Sequence, residues 1–399
     1  MRPSDPERLE ALRELLVELC HRRGPIPFAL YMELCLYHPE LGYYTQAVPP
    51  MGPKGDYLTY PSVHKAFGHL LARQLNEIWE LMDRPCPFAL VEMGGGKGEL
   101  IGDILEALED RFPEMLQALS LTLVDRSPRL LAIQRSQVGS RVQLRACAPE
   151  ELFCGPAFTG CLFSNELLDA MPVHVVEMRQ GRIMEVYVDV QQTTVQEVLA
   201  EPSESRILDY LEAFGPLVEG QRVEVGLAAV DWMKSVAAIL ERGMVITVDF
   251  GYSGHEAFHP LRSGGTLMAY RGHRASADPY ELPGGQDLAA HVNFWALIQA
   301  GKEEGLQLTG LIPQDKFLLS LGLLEEMEAH ESRRAHLSPA AFWTEKLALR
   351  RLMMPQPTQG GFQVLLQHKA WEPPPLMCSR TPDQWGLEPP GGSLPRRES

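Results

Sequence analysis

The sequence predicts an α/β fold with a mostly parallel sheet and helices on both faces. Three observations carry that reading. The apolar run Ala89-Leu-Val-Glu-Met93 leads through a glycine turn into Leu100, Ile101, Ile104, Leu105 and Leu108, which recur at helical spacing. A second run, Leu121-Thr-Leu-Val, closes on Asp125 and is followed at once by a helix start, Ser127-Pro128. Further buried-strand patterns near 141–146, 159–164 and 243–249 extend the series.

Taken from the N-terminus, Ser4-Asp-Pro-Glu7 has the form of a capping box, and Leu9, Leu12, Leu16 and Leu19 continue as a helical stripe. A second helix is expected over Phe28–Leu36, stopping before His38-Pro39; together the two should form an entry segment packed onto the sheet. Residues 45–62 read as a Pro-, Gly- and Tyr-rich loop, after which helix resumes from Val63 to Trp79. A hairpin is expected at 173–178 and 183–190, then two helices around a short strand between Ile207 and Arg242. Gly251–Leu288 lacks periodicity, as lids, binding loops and disordered segments do. A helix over 291–304, a strand at 305–312, helices over 313–330 and 338–352 and a strand at 362–368 complete the pattern. Residues 371–399 hold seven prolines and are expected to be disordered. The chain therefore divides into a helical segment with a covering loop (1–85), a Rossmann-like domain with inserts near 173–242 and 251–290 (86–370), and a tail (371–399).

A formal net charge of −16 argues against a general nucleic-acid surface, which needs clustered Lys and Arg. No apolar run approaches a membrane span. The N-terminus is acidic and shows neither a signal peptide nor an Arg-rich leader, which points to the cytoplasm. The seven cysteines form no C-x-x-C pair, so no metal site is expected.

The glycine turn decides the chemistry. A dinucleotide fingerprint would need glycine at 99, where Glu99 stands, and a P-loop would need glycine at 91, where Val91 stands. What remains is acidic-x-G-x-G-x-G, the pattern of class I S-adenosylmethionine (SAM) methyltransferases. In that reading Gly94, Gly96 and Gly98 let the cofactor lie against bare backbone. Glu92 takes its amino end, and Asp125 accepts two hydrogen bonds from the ribose diol.

A wider set of segments supports the same class. These are Tyr37-His-Pro-Glu-Leu-Gly-Tyr-Tyr44, Gly55-Asp-Tyr-Leu-Thr-Tyr-Pro61, Ser164-Asn-Glu-Leu-Leu-Asp-Ala-Met-Pro-Val173, Asp249-Phe-Gly-Tyr252 and Gly265-Thr-Leu-Met-Ala-Tyr-Arg-Gly-His273. In this order, and together with Phe67-Gly68, Gln286-Asp287 and His291-Val-Asn293, they resemble the MidA family of SAM-dependent methyltransferases over about residues 10–370. Two positions depart from the family pattern, Ser62 after Pro61 and Phe250 after Asp249.

The resemblance implies a class I fold, SAM as methyl donor and a protein arginine as acceptor, such as one in an NADH dehydrogenase (complex I) subunit. It assigns catalytic positions to Asn165, Glu166 and Asp169, and places Asp56 and Thr59 in a loop covering the cofactor. Read from local sequence alone, Asn165-Glu166 is a cap on a short helix with Asp169 solvated, and Asp56 an Asx turn. Two other functions fit the same residues: a SAM-binding assembly chaperone without turnover, or methylation of a small molecule or another protein.

Overall fold

Leucine- and valine-rich runs with little polar interruption form the centre of the molecule. In a computed structural model, which describes residues 5–45, 64–192, 194–213, 216–253, 256, 258–260, 262–353 and 361–379, they are seven strands. These are β1 (Phe88–Met93), β2 (Leu119–Val124), β3 (Gln143–Cys147), β4 (Phe158–Asn165), β5 (Leu240–Tyr252), β6 (Gln307–Pro313) and β7 (Phe362–Lys369). Their order is β6-β7-β5-β4-β1-β2-β3. Strands β1 to β5 are parallel, while β7 runs antiparallel to both β5 and β6. The order reverses between β1 and β4, so their C-terminal ends flank the crevice where open α/β sheets bind ligands.

Strand periodicity separates two apolar layers. Leu90, Leu121, Phe163 and Ile246 face one side; Val91, Val124, Leu162 and Val245, an odd number of positions away, face the other. The helices that matter for the site are α1 (Pro6–Arg23), α2 (Phe28–Tyr37), α3 (Ala66–Leu81), α4 (Glu99–Arg111), α5 (Pro128–Val138), α6 (Leu227–Ile239) and α7 (Phe294–Glu303). The first side is covered by α3 and α4 through Leu70, Ile78, Ile101 and Leu105. The second is covered by α6 and α7 through Trp232, Met233, Val236 and Leu297.

Five expectations change. The entry helices α1 and α2 pack through Leu12, Leu16, Phe28 and Tyr31 onto Val175, Val186 and Val188 of the inserted sheet, not onto the central one. The expected hairpin is the middle of that insert, a five-stranded sheet that also takes in Ile26–Pro27, Val195–Ala200 and Arg222–Val225. Its two-residue turn, Gln180-Gly181, has positive φ at both positions (51° and 72°), matching the twist of the flanking strands. The single helix expected over 313–330 is two, Gln314–Ser320 and Leu323–Ser332, because Gly322 at φ 103° cannot continue a right-handed helix.

The stretch 251–288 contains Met268–Arg271, Arg274–Ser276 and part of Asp287–Ala289, strands too short for periodicity to reveal. Residues 371–379 are not disordered. Leu376 and Cys378 are buried, and the Met377 and Cys378 N–H groups donate to Glu77 and Gln74 of α3. Residues 380–399 lie outside the described residues.

Candidate active site

Strand β1 delivers Glu92 to the crevice, and the chain turns through residues 94–98 into α4. Gly94, Gly96 and Gly98 have φ of 75°, 53° and 79°, where a side chain is strained. The Gly94 N–H donates to the Val124 carbonyl at 2.9 Å, tying the turn to β2. Gly95 acts by its missing side chain: a Cβ there would stand 2.6 Å from Glu92 Oε2. Glu92 is 2% exposed, and Oε2 has no hydrogen-bond partner among the described residues. Burial, aided by the nearby Asp125 charge, pushes its carboxyl up to about 8. A buried acceptor beside bare backbone suits an ammonium group.

Strand β2 leads directly into Asp125. One carboxylate oxygen accepts from Ser127 N–H at 2.9 Å and the other from Gln134 Nε2 at 3.1 Å. Burial raises this carboxyl to about 6 against the lowering effect of those two bonds. The same Gln134 nitrogen donates to the Gly96 carbonyl at 3.0 Å, so one α5 side chain joins the glycine turn to the second acid. Gly98 serves this joint from beneath, since a Cβ there would stand 3.1 Å from Gln134 Cα.

At the end of β4, Asn165 Nδ2 donates to Glu166 Oε1 at 3.2 Å, while Asn165 Oδ1 is buried without a partner among the described residues. Glu166 has φ 51°, a left-handed conformation that costs a non-glycine residue about 1–3 kcal/mol. No helix follows, so the pair is not a helix cap. The turn is held by Asp249, which is fully buried and accepts from Leu167 N–H at 3.1 Å and Leu168 N–H at 2.7 Å. Burial pushes Asp169 up to about 6, and the Asp169 charge adds to the upward shift of Asp249.

A cavity of about 810 Å³ brings Glu92, Gly94, Gly96, Asp125, Asn165 and Glu166 together. That volume suits a ligand of nucleoside size. Gly98 and Asp169 are not on its wall; the first packs α5 and the second sits behind Glu166 near Asp249. Asp56, Thr59 and Ser62 lie outside the described residues. Phe250 packs against His291 and Phe362, at ring distances of 4.6 and 4.9 Å. Asn293 caps α7 by accepting from Ala296 N–H at 3.3 Å.

The N-terminal segment covers part of the cavity. Tyr37 donates its hydroxyl to the Ala170 carbonyl at 3.0 Å, and Arg126 pairs with Glu33 at 2.8 Å while lying 4.8 Å from the Tyr37 ring centre.

Sequence reasoning missed Gly95, Gln134 and the Asp249 contacts. Only Gln134 left a trace: it is a polar residue on the buried Leu130–Val138 stripe of α5.

The reversed seventh strand, the glycine turn after β1 and the acid after β2 define a class I SAM-dependent methyltransferase. The chain belongs to the S-adenosyl-L-methionine-dependent methyltransferase family Methyltransf_28, whose model matches residues 70–312, as the MidA resemblance implied. It is similar to a solved Burkholderia thailandensis protein bound to S-adenosyl-homocysteine (SAH). The two are 27% identical with a TM-score of 0.82, over 97% of this chain and 99% of that one. It is also similar to the Drosophila melanogaster protein named protein arginine methyltransferase NDUFAF7 homolog, mitochondrial. There the identity is 27% over 336 residues, 77% of this chain and 74% of the relative. The Homo sapiens protein arginine methyltransferase NDUFAF7, mitochondrial, is 25% identical over 354 residues, 80% of this chain and 75% of its own. Among the described residues, no helix is long and apolar enough to cross a membrane.

Proposed function

We propose that this methyltransferase acts on an arginine of a protein substrate, with a respiratory NADH dehydrogenase subunit as the candidate acceptor. The observation that carries the reading is the Glu166 carboxylate, set on a left-handed turn at the cavity wall with the Asn165 amide bonded to it. A guanidinium is cationic at any working pH and presents paired N–H donors that a carboxylate accepts in plane. The names of the relatives, protein arginine methyltransferases, support the same acceptor.

Bound SAM supplies an electrophilic methyl on a sulfonium. The protein's part is alignment and exclusion of water. Glu92 would hold the amino end and Asp125 the ribose, with the glycine turn between them. Glu166 clamps the acceptor guanidinium and draws charge away from the attacking nitrogen, and Asn165 fixes the carboxylate that does so. Asp169 tunes this corner from behind through its charge. The N-terminal segment borders the cofactor cavity through Glu33, Tyr37 and Tyr44, and 86–370 form the catalytic domain. A cytoplasmic location suits seven cysteines that are all free thiols.

The test is methyl transfer from labelled SAM into cell-extract proteins, with the labelled amino acid identified after hydrolysis. Methylarginine is expected, and Glu166→Gln should slow its formation by up to about 100-fold, the scale reached when an acceptor is misplaced by about 1 Å. Label on a different amino acid or on a small molecule would overturn the assignment.

A further inference from the structure

We propose that Asp249 is a positioning residue for methyl transfer: its carboxylate holds the turn that presents Glu166 to the acceptor. The proposal rests on the preceding reading through Glu166 and adds a residue that never reaches the cavity.

One oxygen of Asp249 accepts two successive backbone N–H groups, those of Leu167 and Leu168, and the other accepts from Phe250 N–H at 2.8 Å. Two consecutive amides aimed at one oxygen fix the peptide planes that follow Glu166. On its other side, Glu166 N–H donates to the carbonyl of Val248 at 2.9 Å, the residue just before Asp249. Residue 166 is thus clamped from both sides by adjacent positions of β5, and the clamp holds it at φ 51°. Strained conformations persist only where the surroundings over-determine them. Without the carboxylate, residue 166 relaxes toward negative φ and its side chain turns away from the cavity wall.

The carboxylate is an expensive way to fill that space. Asp249 is fully buried, pairs with no Lys or Arg among the described residues, and faces the acids Asp169 and Glu166. An apolar residue would suit the sheet better, but it would leave three backbone donors unmet.

The experiment compares full-length Asp249→Asn, Glu166→Gln and the double variant with the unaltered protein. An amide keeps the shape of the carboxylate but sets an NH2 group against a donor. SAH affinity is measured by calorimetry, the 164–172 backbone by hydrogen exchange, and transfer as protein-bound label from methyl-labelled SAM in a cell extract. Expected for D249N are SAH affinity within about twofold of the original, faster exchange at Leu167 and Leu168, and transfer at least about tenfold slower at saturating SAM. Added to E166Q, it should slow transfer no further, because both changes disable one clamp.

Unchanged exchange, a parallel loss of SAH affinity, or losses that multiply in the double variant would each overturn the proposal. Label on a residue other than arginine defeats the arginine reading, while the rate comparison still decides the role of Asp249. No label at all defeats both. If D249N does not fold, Asp249→Ser is scored in the same way.

Discussion

The carboxylate of Glu92 and the bare Cα of Gly95 leave no room for one methyl group: a Cβ on residue 95 would come within 2.6 Å of Glu92 Oε2. Glu92 is 2% exposed but lies on the cavity wall, so its carboxylate can yield only by leaving its place there. Gly95→Ala is therefore expected to push Glu92 off its place while leaving the sheet folded. Calorimetry should show SAH affinity falling by more than about tenfold, or about 1.4 kcal/mol. A melting temperature close to the original would separate this from unfolding. Unchanged affinity would remove Glu92 from the cofactor site.

Cofactor binding should also follow the Glu92 proton. Burial first, and the Asp125 charge second, raise this carboxyl to about 8, so it is largely neutral near pH 7 in the free protein. An ammonium group binds the ionised form. Binding must then expel a proton, and affinity should rise between about pH 6 and 8, by at most about tenfold per unit. The stability of the free protein runs the other way: a folded-state pKa above the unfolded one gives stability that is full below about 4.5 and lost as pH rises through 8. Titrations of SAH in two buffers of different ionisation enthalpy would count the proton. A count of zero at pH 7 would show that Glu92 does not meet the ammonium.

Gln134 joins two parts of the site with a single nitrogen, at 3.0 Å from the Gly96 carbonyl and 3.1 Å from Asp125. Gln134→Leu keeps the volume and deletes both bonds. Two lost bonds in a buried place cost about 1–3 kcal/mol. SAH affinity is expected to drop about 5- to 100-fold, and to drop less when Asp125 is already Asn. Additive losses would show that Gln134 does not act through Asp125.

How much of this was legible follows from the range over which each signal acts. The glycine turn, Glu92 and Asp125 are local: strand, turn and acid are adjacent in sequence, and each lies where it was expected. Asn165-Glu166 is assigned to the site by resemblance alone, and local sequence leaves it as a cap. The structure removes that alternative because no helix follows, and Asp249, 83 positions after Glu166, takes the two N–H groups that a capping Asn165 side chain would have accepted. No pattern within one strand announces a partner on the next. The inserted sheet was half visible for a similar reason: its hairpin alternates, but Val195–Ala200 has no fully buried residue and meets the core only through the part-buried Val195 and Leu199. Short strands near 268–289 are below the length at which alternation can be told from chance.

The Arg126–Glu33 pair joins the N-terminal segment to the end of β2 at the cavity, and its worth differs for stability and for exchange of cofactor. The two side chains are 50% and 37% exposed, so the pair adds at most about 1 kcal/mol to folding. Glu33→Gln should barely shift the melting temperature. The same pair, with Arg126 lying over Tyr37, bridges two elements of the cavity wall, so a ligand leaving between them has to break it. Stopped-flow displacement should show SAH leaving about two- to fivefold faster from the variant, a difference that shrinks above about 0.5 M salt as the charges are screened. Equal dissociation rates at low salt would mean that the cofactor leaves by a path that does not open this contact.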